Sequence, residues 1–155
     1  INSISFSRND PNEFVSCGND SLIKVWSLNK ETMNWECTAT LDEEDFVIND
    51  VIFKNNTTDE CIASCRDDGS VNLWWKDGQT WKKKNIASFD KSVCQLSFNE
   101  NGTSLIAVCN DGESNLIEED KLILNSNSNI DNYNTVYIVN LPPPNNRFQR
   151  GGVNF

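Results

Sequence analysis

Histidine is absent from this 155-residue sequence. That removes every Ser–His and Cys–His nucleophile pair, and with them the usual zinc hydrolase centres, which need an imidazole. Also missing are a CxxC pair, a glycine-rich phosphate loop, a twelve-residue EF-hand loop and any apolar run near the ~20 residues of a membrane-spanning helix. Positive charge is scarce: 13 Lys and Arg stand against 23 Asp and Glu, for a net charge of -10. That is the opposite of the basic footprint that neutralises nucleic-acid phosphates. The expectation is therefore a chain with no catalytic residues, no metal, no cofactor, no small-molecule substrate and no nucleic-acid partner. Carboxylate pairs such as Asp67-Asp68 and Glu118-Glu119 remain, but neighbours along a strand point to opposite faces. No signal-peptide pattern opens the chain. Ile1 already lies in a strand-like pattern, so the sequence reads as starting mid-protein.

What is present is a repeat. Hydrophobic residues make up 37% of the chain, enough to exclude full disorder. The segment Ile1-Asn-Ser-Ile-Ser-Phe6 returns as Ile48-Asn-Asp-Val-Ile-Phe53 and as Val93-Cys-Gln-Leu-Ser-Phe98, spaced 47 and 45 residues apart. Each copy alternates apolar and polar residues, the period-two signature of a strand. A turn rich in Asn, Asp, Gly and Pro follows every copy. A second strand comes next, as Phe14-Val-Ser-Cys17, Ile62-Ala-Ser-Cys65 and Ile106-Ala-Val-Cys109. After a tight Asn/Asp turn a third strand runs to Trp26, Trp74 and Ile117, and aromatic stretches from Trp35 and Trp81 open a fourth in the first two units. Four short strands in a period near 45 residues predict an all-β fold of three consecutive β-propeller blades, at about 1–41, 47–89 and 93–141. Three blades cannot close a ring, since propellers carry about four to eight.

The six cysteines fit this frame. Cys61 and Cys65 sit four apart on an extended strand, beyond disulfide reach. Cys17, Cys65 and Cys109 recur at one place in the aligned repeat and read as small core hydrophobes, reduced in a cytosolic compartment. The cluster Lys82-Lys83-Lys84 reads as a charged strand edge that discourages aggregation, and Asp42-Glu43-Glu44-Asp45 as a loop. Beyond Glu118 the pattern loosens. Lys121-Leu-Ile-Leu124 is a short strand candidate, 125–134 is an Asn-rich insertion, and Thr135-Val-Tyr-Ile-Val139 is a β-prone run that closes the third blade or pairs with a neighbour. Pro142-Pro143-Pro144 stops any strand, and the Pro/Gly/Asn-rich tail 142–155 reads as disordered.

These residues resemble the WD-repeat family. Its structural network joins a turn aspartate, matched by Asp20, Asp68 and Asp111, to a hydroxyl on the second strand, matched by Ser16 and Ser64, and a tryptophan on the third, matched by Trp26 and Trp74. The family's histidine is missing throughout, and the third unit puts Val108 and Ile117 where serine and tryptophan are expected. Within the family, Ser21 to Trp26, Cys61 to Trp74 and the spacing of Trp35 and Trp81 resemble the last three blades of the small six-bladed scaffold shared by the COPII outer coat and the nuclear-pore Y-shaped complex. That resemblance implies a non-catalytic structural subunit in endoplasmic reticulum-to-Golgi transport or the nuclear pore. It would be cytoplasmic, at the face of the endoplasmic reticulum, on COPII vesicles or at the nuclear envelope, with membrane association only through the coat. It also implies an α-solenoid partner that donates a blade by β-augmentation. Val93, Leu96, Phe98, Ile106, Val108, Leu116 and Ile117 are then the expected edge for that blade. The alternative is a WD adaptor that takes a peptide or phosphopeptide on the propeller face, for which Arg8, Lys54 and Arg66 lie near strand ends.

Overall fold

A computed structural model describes residues 1–42, 44–54, 60–111 and 133–140. Among these there is no helix; eleven strands form three antiparallel sheets. The first sheet is β1 (Ser3–Phe6), β2 (Glu13–Cys17), β3 (Leu22–Asn29) and β4 (Asn34–Asp42), in that order. The second repeats it with β5 (Ile48–Phe53), β6 (Cys61–Arg66), β7 (Ser70–Asp77) and β8 (Thr80–Ser88). The third has the order β11-β10-β9, from β9 (Val93–Phe98), β10 (Ser104–Asp111) and β11 (Tyr133–Asn140). This is a partial β-propeller.

Period-two alternation gives each sheet two faces, and the sheets stack front to back. The front of the first sheet carries Val15, Cys17, Ile23, Val25 and Leu41, which pack on Ile48, Val51, Phe53, Ile62 and Trp74 on the back of the second. The front of the second carries Cys61, Ala63, Cys65, Val71 and Leu73, which pack on Val93, Leu96, Leu105, Ala107 and Cys109 of the third. Two separate cores result, each filled by aliphatic and small side chains from facing strands. All six cysteines are free thiols. Burial pushes the Cys17 thiol up to about 12, with the nearby Asp50 adding to the rise, and it moves Cys65 upward for the same two reasons.

The third sheet departs from the aligned repeat. In the first two sheets Phe6 lies opposite Phe14 and Phe53 opposite Ile62. In the third, Phe98 lies opposite Leu105 rather than Ile106. The cause is the tight turn at Gly102 (φ 65°), in which the Asn99 N–H donates to Ser104 O at 3.0 Å and Gly102 N–H to Asn99 O at 3.0 Å. A one-residue change of register turns every side chain of a strand over. Leu105, Ala107 and Cys109 therefore face the second sheet, while Ile106 and Val108 turn to the other side, half-buried. Two sequence-based expectations change with it. Cys109, opposite Val93, stands where Arg66 stands opposite Ile48. Val108, opposite Gln95, takes the place that Cys65 holds opposite Asp50, so Ala107, not Val108, replaces the strand serine.

A further difference concerns the third strand of that sheet, expected at residues 110–117. Asn110 and Asp111 belong to β10 itself, and β10 pairs on its second side with β11, Ser104 opposite Asn140 through Asp111 opposite Tyr133. The β-prone run thus occupies the place of a third strand, and it begins at Tyr133, inside the stretch assigned to the Asn-rich insertion. Residues 112–132, with Leu116, Ile117 and Lys121 to Leu124, and the tail 141–155 lie outside the described residues.

The lysine cluster sits where a guarded edge would put it. Lys82, Lys83 and Lys84 lie on β8, the last strand of its sheet, with Lys83 Nζ 5.3 Å from the Trp74 ring centre. At the opposite end of β7, Gly69 (φ 86°) turns the chain so closely that an added Cβ would collide with Phe89 O and lie 2.6 Å from Lys91 O. Gly78, also left-handed at φ 63°, has open space around it. Gly69→Ala is expected to lower unfolding stability by roughly 2–4 kcal/mol and Gly78→Ala by about 1 kcal/mol, read from denaturant midpoints. Equal costs would mean that the close approach at Gly69 is absent.

Candidate functional site

Two of the three units assemble the tryptophan–serine contact that the sequence suggests. Trp26 Nε1 donates to Ser16 Oγ at 3.0 Å, and Trp74 Nε1 donates to Ser64 Oγ at 3.0 Å. Each pair joins neighbouring strands, so the indole packs on the back face while its one polar atom is satisfied. The turn aspartates differ. Asp68 accepts from Ser70 N–H at 3.0 Å, from Ser70 Oγ at 2.6 Å and from Arg66 at 2.8 Å. Burial alone would raise its carboxyl, but the bonds from Ser70 and the Arg66 guanidinium hold it below the usual carboxylate range. Asp20 makes a longer contact, 3.4 Å from Leu22 N–H, because Leu22 brings no hydroxyl and Gly18 no cation. Asp111 lies at the end of β10.

Sequence reasoning missed a second polar system, which ties the sheets together rather than the strands within one. Asp50, 7% exposed, lies on the middle inner strand. Its Oδ1 accepts from Ser3 Oγ of the first sheet at 2.6 Å and from its neighbour Val51 N–H at 2.9 Å. Its Oδ2 accepts from Leu96 N–H of the third sheet at 2.8 Å. One carboxylate thus joins all three inner strands. Alongside it, Asn2 Nδ2 donates to Asn19 Oδ1 at 2.8 Å and to Ile48 O at 2.9 Å. One repeat later, Asn49 Nδ2 donates to Asp67 Oδ1 at 2.8 Å and to Val93 O at 2.8 Å. Each asparagine clasps its own turn to the start of the next sheet. The same position in the third sheet is Cys94, whose side chain is no amide. The signal lay in the repeat, where Asn follows the first apolar residue twice, but a polar residue on an alternating strand reads by default as solvent-facing.

The expected partner edge divides. Val93 and Leu96 are buried against the second sheet and Phe98 packs at the margin of the same core. Ile106 and Val108 face away from it. Those five residues are therefore not one surface. Of the basic residues considered for a peptide site, Lys54 and Arg66 are buried, and Arg66 is engaged by Asp68 and by Ser70 at 2.6 Å. Among the described residues no group of three His, Cys, Asp or Glu is placed to hold a metal ion.

Comparison with known proteins agrees with this geometry. The family model for the WD domain, G-beta repeat, matches residues 1–27 and 35–74, which include both tryptophan–serine pairs and end within β7. The chain carries WD repeats. It is similar to the protein transport protein sec13 of Emericella nidulans, 28% identical over 110 residues, covering 68% of this chain and 35% of the relative. It is similar to the SEC13 homolog of Caenorhabditis briggsae, 32% identical over 127 residues, covering 76% and 40%. Over a shorter stretch of 76 residues it is 33% identical to a chromatin assembly factor 1 protein of Schizosaccharomyces pombe, covering 48% and 14%. The chain spans well under half the length of these curated relatives.

Glu13 is a displaced carboxyl at the seam between the first two sheets. It opens β2, is 8% exposed, and lines a cleft with Asp10, Lys54 and Glu60. Burial, then the Glu60 charge, raise its carboxyl to about 7, against a partial offset from Lys76, which pairs with Glu60 at 2.9 Å. The folded state therefore holds a proton that the unfolded chain releases near its ordinary value. Stability from this group is present at low pH and is lost as pH rises from about 4.5 to about 7. Glu13→Gln is expected to match the parent near pH 5 and to exceed it by on the order of 2 kcal/mol near pH 8, in denaturant unfolding at the two pH values. A constant difference at both would contradict the buried carboxyl.

Proposed function

We propose that the chain is the blade-bearing part of a non-catalytic scaffold that builds a vesicle coat or a nuclear-pore frame, rather than an enzyme. Similarity to proteins named for protein transport supports this reading. So does a fold whose buried Asp50 carboxylate and Asn2 and Asn49 amides are spent on holding sheets together. In this proposal the three units are blades at about 1–41, 47–89 and 93–141, and the partner is an α-solenoid coat subunit that adds strands of its own. The scaffold then acts on the cytoplasmic side of the endoplasmic reticulum and its vesicles.

The observation that carries the proposal is the inequality of the third sheet. It has Ala107 in place of the strand serine, Cys94 in place of the clasp, and on its front Ile106 and Val108 where the second sheet has the smaller Ala63 and Cys65. Among the described residues β11 has no strand on its far side, whereas the third strands of the other sheets are covered by β4 and β8. An open strand edge with an apolar face beside it suits β-augmentation, where backbone bonds supply affinity and side-chain pockets supply choice. The relevant side chains are Ile106 and Val108, not the whole set expected from sequence.

The α-solenoid subunit of the COPII outer coat, added to the chain, is expected to slow amide exchange across Tyr133–Asn140, the open edge strand, and to leave Glu13–Cys17 unchanged. Equal exchange in Tyr133–Asn140 with and without that subunit would remove the third sheet as the docking element.

A further inference from the structure

The outer edge of the second sheet is strongly basic in an acidic molecule. Lys82, Lys83 and Lys84 follow one another on β8, in a chain whose net charge is -10. Among the described residues no strand pairs with the far side of β8. The strand contains neither proline nor glycine, and its pairing with β7 is regular from Asp77 opposite Thr80 to Asn72 opposite Asn85, with its bulge beyond that stretch. Residues 80–85 therefore present a straight edge whose outward N–H and C=O groups can take another strand. The fold does not require lysine there. On β4, the equivalent strand, Glu36 lies opposite Ser27 where Lys82 lies opposite Trp75, and Cys37 lies opposite Trp26 where Lys83 lies opposite Trp74. That strand is also bulged at its middle, between Cys37 and Ala39.

The lysines fringe both sides of the β8 edge. Lys84 lies opposite Leu73, which faces the third sheet, and Lys83 lies opposite Trp74, which faces the first. Lys82, two residues from Lys84, shares its side. Glu44 Oε1, from the loop before β5, stands 4.0 Å from Lys83 Nζ, so a carboxylate already approaches this edge. Lys82 and Lys84 are exposed. We propose that β8 is a docking edge for an extended acidic segment of another protein, added to the sheet as a further strand. Consecutive carboxylates on an extended chain alternate sides at the same rise of ~3.3 Å per residue as the lysines. A run of them meets the lysines in turn, while backbone bonds supply affinity. A basic strand, or β8 of a second copy, sets lysine against lysine and is repelled. An anionic lipid surface fits less well, because a flat layer of headgroups meets one side of an edge and these lysines lie on two. The net negative charge repels an acidic partner elsewhere and leaves this edge as its landing place. The proposal is independent of the role of the third sheet.

Fluorescence anisotropy tests it with a short valine- and threonine-rich peptide carrying three consecutive glutamates, together with amide exchange on the chain. The peptide is expected to bind saturably, to slow exchange across residues 80–85 and to leave Asn34–Asp42 unchanged. Lys82→Glu with Lys84→Glu is expected to weaken binding by at least about tenfold; Lys83 is left in place because it packs on Trp74. Arg8→Glu with Lys30→Glu, exposed residues of the first sheet, makes the same change in net charge and is expected to alter affinity by less than about twofold. No binding, unchanged exchange in residues 80–85, or equal weakening by the Arg8 and Lys30 pair would each overturn the proposal. So would phosphatidylserine vesicles that bind through Lys82 and Lys84 where the peptide does not.

Discussion

The side chain of Asp50 is the joint on which the three sheets depend. Each sheet is a meander whose internal ladder is complete without its neighbours, so strand pairing alone would give three independent, marginal units. Two apolar seams press the sheets together, but an apolar seam is tolerant of sliding. The carboxylate is not. It accepts one bond from each neighbouring inner strand, and a buried acceptor in a low-dielectric site enforces its partners because leaving them unpaired costs about 1–3 kcal/mol each. The asparagine clasps act in the same direction, each fixing the turn of one sheet to the first residue of the next.

That arrangement is directional, and the direction explains why the ends of the stack differ. Both forward contacts set small side chains of the front against an apolar back and clasp with an asparagine amide; the first adds the Ser3 and Ser5 hydroxyls, the second the Asp50 carboxylate. The first sheet has the full set, and its back repeats the back of the second almost residue for residue. The third sheet keeps the back but has lost the forward clasp, and its front carries Ile106 and Val108 where the second sheet has the smaller Ala63 and Cys65.

Much of this was legible in the residues. Alternation located most of the strands closely, and the Trp26–Ser16 and Trp74–Ser64 contacts follow from type and spacing. What escaped was governed by geometry that a repeat alignment does not contain. Aligning Ile106-Ala-Val-Cys109 with Ile62-Ala-Ser-Cys65 maximised identity, yet the length and hydrogen bonding of the turn before Ser104 decide which residue meets Phe98. Asp50, Ser3 and Gln95 share one repeat position with three different chemistries, so nothing in the pattern singled out the carboxylate as a buried bridge. The pairing of β11 with β10 skips over the sequence from 112 to 132, and periodicity within a short window is blind to it.

Native-state amide exchange on Asp50→Ala tests the account most directly. The account expects protection at Val15 in the first sheet, Val71 in the second and Ala107 in the third to fall together by one shared free energy, on the order of 2–5 kcal/mol, as a single cooperative unit is weakened. Faster exchange confined to Leu96 and its immediate neighbours, with the three sheet centres unchanged, would show that the sheets are held without the joint.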